Sequence, residues 1–170
     1  MRYLLCLLLA LGCTPLGHAF KEYPIGHAEE INHMLIAAVY LQPIDMEPRG
    51  VDLPASLADI HLECDMHATP GNPNGFGVGE WIPYVTVTYT LKNVDTGETR
   101  TGVLMPMVAA DGPHYGANLK MAGAGRYSLR YEIEPPSKQG FGRHSDPETG
   151  VGKWFKPFAL DYEFDYLPLD

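Results

Sequence analysis

The chain has 170 residues, 45% of them hydrophobic and 19% charged, enough for one core that buries roughly two-thirds of the unfolded surface. Twelve Lys and Arg against 21 Asp and Glu leave a formal charge of −9, which excludes an electrostatic grip on nucleic-acid phosphates or anionic lipid. With 18 Gly and 15 Pro, long helices are disfavoured and short strands joined by turns are expected.

At the N-terminus, Arg2, the apolar run Tyr3–Leu11 and the ending Gly17-His18-Ala19 read as a signal peptide cut after Ala19. The run is shorter than the ~20 residues that span a bilayer, so the expected product, residues 20–170, is periplasmic, without a membrane span. A second reading cuts before Cys13 and lipidates it, but Ala10-Leu11-Gly12 matches such a signal poorly. Losing residues 1–19 removes Arg2 and no acid, so the mature charge is −10. Cys64 is then the single cysteine, which excludes an intramolecular disulfide.

Beyond the leader, apolar and polar residues alternate with period two in several runs, the mark of strands with one face on a core. Ile36–Gln42 is β-branched and aromatic. In Asp59–Ala68, Ile60, Leu62, Cys64 and Met66 take one face, while His61, Glu63, Asp65 and His67 take the other. Tyr84–Leu91, the turn Lys92–Gly97 and a return over Thr99–Val108 form a hairpin pattern. Arg126–Glu134 and Phe158–Tyr166 alternate as half-buried strands. The segments 45–57, 69–80, 110–116 and 135–152 read as loops. About seven short strands in one domain predict an all-β, immunoglobulin-like sandwich of two antiparallel sheets, with a barrel of the same strands as the alternative.

Spacing by two sets His61, Glu63, Asp65 and His67 about 7 Å apart on one side of a sheet. Two imidazoles and two carboxylates there are metal-ligand types, with a hydrated outer face as the bland reading. Met107 ends a strand, and His114 follows in the Gly- and Pro-held segment Asp111–Gly116. Thioether with imidazole suits copper more than zinc, and nearby carboxylates add room for Fe(II) or Mn(II). His144 lies in the Gly-rich stretch Gly140–Asp146, placed to close over a site from outside. His27 and His33 read as surface residues, and Cys64 as a buried, inert thiol. Nucleophile-elbow, zinc-protease, phosphate-loop and C-x-x-C signatures are absent, so an enzyme is not expected.

The segments Lys21–Gly26, Ile60–Glu63, Asn74–Gly77 with Gly79–Tyr84, Met105–Val108, Asp111–Asn118 and Ile133–Ser137, in that order, resemble the Tpd family. Its members are also described as periplasmic high-affinity iron-transport proteins or pathogen-specific membrane antigens. The resemblance implies an immunoglobulin-like fold, a homodimer, and a metal-binding protein that works with an inner-membrane ferrous-iron permease. It also implies a copper site at His61, Glu63, Met107 and His114, with His144 as a further member. A second, weaker site for iron or manganese falls on Glu22 and Asp111. High-affinity iron uptake is thus the expected function. The alternative is a periplasmic copper carrier or tolerance protein without an iron role. Proton competition for imidazoles is expected to weaken copper binding below about pH 6.5.

Overall fold

A computed structural model describes residues 21–169; the expected signal peptide at 1–19 and the alternative cut at Cys13 lie outside the described residues. The described residues form eight strands: β1 (Tyr23–Ile31), β2 (Met34–Leu41), β3 (Ile60–Ala68), β4 (Thr86–Asn93), β5 (Thr99–Ala109), β6 (Gly112–Leu119), β7 (Gly125–Glu134) and β8 (Phe158–Tyr166). All pairings are antiparallel, in the order β1-β2-β3-β6-β5-β4-β7-β8.

The all-β architecture matches expectation; the two separate sheets do not. Hydrogen bonding is continuous through β5, whose first half pairs with β4 as far as Leu104↔Val87, while its second half pairs with β6 from Met105↔Gly116 to Ala109↔Gly112. Pro106, which lacks an N–H, lies just beyond the last β4 pair, where no ladder bond on that side is lost. The single sheet folds over, and β1 and β8, at its two ends, come into contact.

Two strands escape the alternation pattern. β6 covers most of the segment expected to be a loop, and its Gly-Pro-His-Tyr-Gly-Ala-Asn composition has no β-branched residue to announce a strand. Pro113 is tolerated there because pairing of β6 with β3 begins only at Tyr115. β1 is broken by a register shift between Ile25 and Glu29, where Gly26 adopts φ +66°, a bulge that hides its period. It joins β2 through Asn32-His33, both at positive φ, the pattern of a tight hairpin turn. His33 is therefore an exposed turn residue, as expected, and its carbonyl accepts from the Thr69 N–H at 3.0 Å.

Inside the fold, Ile60, Leu62, Cys64 and Met66 of β3 face Val87 and Leu91 of β4 and Tyr127, Leu129, Tyr131 and Ile133 of β7 as one buried cluster. Each fully buried aliphatic chain stabilises by about 1.5–3 kcal/mol. Burial pushes the Cys64 thiol pKa well up, in keeping with an inert cysteine. Tyr131 reaches across this core to donate from its hydroxyl to the Glu63 carbonyl at 2.9 Å, which anchors β3 at the point that matters for the opposite face.

Candidate metal centre

Because β3 packs Ile60, Leu62 and Cys64 inward, His61 and Glu63 must point outward. β6 obeys the same rule: Tyr115, Ala117 and Leu119 join the core, and His114, Gly116 and Asn118 take the outer face. Register brings the two rows together, with His61 opposite Asn118 and Glu63 opposite Gly116. Met107 of β5 lies opposite His114.

This outer face is not exposed. His61, Glu63 and His114 are only 1%, 4% and 5% exposed. Residues 44–51, nearly all within the segment read as a loop, fold over them and with Met105 and Met107 line a partly open cavity of about 630 Å³. One Glu63 carboxylate oxygen, Oε1, lies 3.2 Å from His114 Nε2 and 3.5 Å from His61 Nε2. All three donors fall within 4.8 Å of one another, and the imidazole planes meet at 74°. Gly116 makes room for this: a Cβ there would lie 2.5 Å from His61 Nε2.

Burial decides the protonation states. Desolvation drives the His61 pKa down to about 4, against a smaller upward pull from its hydrogen bond to Asn118. Glu63 is pushed up to about 8, first by burial and then by Asp65, Glu22 and Asp111. Hence His61 is uncharged and Glu63 largely protonated at neutral pH, and their close approach is not an ion pair. His61 Nε2 is buried without a hydrogen-bond partner among the protein's own groups, so its lone pair is free to meet a cation. Two imidazole nitrogens, one carboxylate and adjacent thioethers suit a borderline-to-soft metal.

His61, Glu63 and His114 thus converge, and Met107 lines the same cavity. His144 does not join them: it is 74% exposed, its Nδ1 is 2.7 Å from Thr149 Oγ1, and it does not line the cavity. Glu22 and Asp111 form a second acidic group with Asp65. The Glu22 pKa is raised by burial and then by the Asp65 and Asp111 charges. Asp65, on the same face of β3 as His61 and Glu63, is half-buried and feels the charges of His114, His67 and Asp111. Asn118, whose Oδ1 lies 3.1 Å from His61 Nδ1, is a further member of the site that the period of β3 does not disclose. The alternation of His114, Gly116 and Asn118 with Tyr115, Ala117 and Leu119 is the signal that reveals it.

Comparison with known proteins agrees with this architecture. FetP of uropathogenic E. coli, recombinantly expressed in the periplasm, superposes with a TM-score of 0.86 and is 64% identical, over 89% of this chain and 100% of that one. The copper-reconstituted P19 protein of Campylobacter jejuni has a TM-score of 0.86 and 61% identity, over 88% of this chain and 99% of that one. The 34 kDa membrane antigen of Treponema pallidum is 37% identical over 149 residues, covering 85% of this chain and 73% of the antigen, in line with the Tpd resemblance. A family model described as Fe2+ transport protein matches residues 19–167. With that match spanning nearly the whole chain, the protein belongs to the Fe2+ transport protein family.

Proposed function

We propose that this is a periplasmic metal-binding protein that holds copper through His61, Glu63, Met107 and His114. In this reading it acts with an inner-membrane ferrous-iron permease in high-affinity iron uptake and is not an enzyme. The observation that carries the proposal is the buried, unpartnered His61 Nε2 facing Glu63 and His114. Copper-bound relatives support it, among them a FetP variant with a glutamate replaced by glutamine. Copper at this site would supply a strongly polarising, redox-capable centre, and the residues' part is to bind it in a pocket screened from water.

Iron, or manganese, is assigned to the acidic group of Glu22, Asp111 and Asp65 beside the copper site, as hard oxygen donors favour such ions. His144, exposed on its own subunit, is assigned to the site of a second copy, which makes the protein a homodimer. The two halves of the folded sheet are read as an immunoglobulin-like sandwich that shares β5, formed by residues 20–170 after removal of the leader.

The cavity's three methionines favour a second reading, a periplasmic copper carrier or tolerance protein with no iron role. A deletion strain separates the two. An iron-limited growth defect, restored by the wild-type gene but not by a His61→Ala/Met107→Ala double variant, supports iron uptake. Copper sensitivity without an iron-dependent defect supports the carrier.

A further inference from the structure

The buried amide of Asn118, 4% exposed, makes more hydrogen bonds than any one role would need. Its Nδ2 donates to the carbonyls of Ile44 and Leu53, both at 2.8 Å. Its Oδ1 accepts from the Ile44 N–H at 3.2 Å and lies 3.1 Å from His61 Nδ1. Its backbone N–H donates to Asp52 Oδ2 at 2.7 Å.

These partners leave one orientation for the amide. Carbonyls only accept and a backbone N–H only donates, so the NH₂ must face Ile44 O and Leu53 O while the oxygen faces Ile44 N and His61. An oxygen beside His61 Nδ1 requires the proton to be on Nδ1. The neutral ring then has its lone pair on Nε2, the atom that is buried without a partner and faces Glu63 and His114. The same amide ties down both flanks of residues 44–53, the segment that roofs the cavity.

We infer that Asn118 is the positioning residue of the centre: it holds His61 in the Nδ1–H tautomer, presents Nε2 to the metal, and couples that ring to the roof. The inference rests on the copper-binding reading for its purpose, but its geometry can be tested without metal. Partners that orient a metal-binding imidazole typically contribute 10- to 100-fold in affinity.

The test begins with long-range ¹H–¹⁵N correlation of the imidazoles in the metal-free, full mature protein. The expected result for His61 is a proton on Nδ1 and none on Nε2; a proton on Nε2 overturns the inference. Asn118→Ala is expected to lose the single tautomer and to bind Cu(II) about 10- to 100-fold more weakly in chelator competition. Unchanged affinity in the folded variant overturns the inference. Asn118→Asp keeps an oxygen for Nδ1–H but cannot donate to Ile44 and Leu53. It is expected to retain the tautomer and recover most of the affinity, while amide exchange quickens across 44–53. An altered tautomer there overturns the inference. Should Asn118→Ala fail to fold, the wild-type tautomer and Asn118→Asp still decide. Should the wild-type protein bind no copper, the proposed function fails, and the tautomer in the metal-free protein decides this inference separately.

Discussion

Replacing Gly116 by Ala adds one carbon where the metal centre is tightest. That carbon would lie 2.5 Å from His61 Nε2 and 2.9 Å from Cε1, whereas ordinary contacts need about 3.5 Å, so the ring must retreat by about 1 Å. A side-chain tip can often yield at little cost, but this one is held on its other edge by Asn118 at 3.1 Å and is 1% exposed. The backbone is no obstacle, because Gly116 is not in the left-handed region. Removing a strand glycine gains about 0.5–1 kcal/mol, and overpacking costs about 1–3 kcal/mol. The metal-free variant should therefore lose no more than about 2.5 kcal/mol and remain folded. Copper affinity should fall by at least 10- to 100-fold, as Nε2 is pushed from the point where Glu63 and His114 meet. Chelator-competition titration, with denaturant unfolding of the metal-free protein as control, reads both quantities. A folded variant with wild-type affinity would refute the placement of His61 over Gly116.

Three further outcomes are expected. Glu63 must shed its proton to ligate, so copper affinity should rise about tenfold per pH unit up to about pH 8. Glu63→Gln should remove that part of the slope in titrations from pH 5 to 9. For His61 itself, proton competition is expected only near pH 4. In the metal-free protein, Glu63 contributes stability that is full below its ordinary pKa near 4.5 and lost as pH rises to about 8. The His61 contribution is full above 6.5 and lost as pH falls toward about 4. The two slopes cancel between about 4.5 and 6.5, and stability should then drop by about 2 kcal/mol from pH 6.5 to 8; equal unfolding midpoints at those two pH values would contradict the assigned burial. His144→Ala, on an exposed side chain, should change unfolding by less than about 0.5 kcal/mol while weakening copper binding only at concentrations where two copies associate, as concentration-dependent titration would reveal.

The strand that carries His61 and Glu63 was legible because eight consecutive residues alternate without interruption. The strand that carries His114 was not, since glycines and a proline give turn signals whether or not a neighbouring ladder overrides them. Burial of the centre was equally hidden. Nothing within Asp59–Ala68 distinguishes a solvated His/Glu face from a roofed one, and the roof is a distant segment held by Asn118. The acids show the same split: the period of β3 sets Asp65 on the outer face with Glu63, whereas its closeness to Glu22 and Asp111 joins segments far apart in the chain. Local period is read from neighbours in the chain, whereas electrostatic surroundings come from neighbours in space.

The hand-over of β5 from β4 to β6 at Leu104–Met105 has a mechanical consequence. The thioether-bearing tip, with Pro106, Val108 and Ala109 exposed, is tethered along one edge only. It can fray, breathe and reseat while the zipper of β4 against β7 stays shut, so its amides should exchange with solvent long before those of the interior.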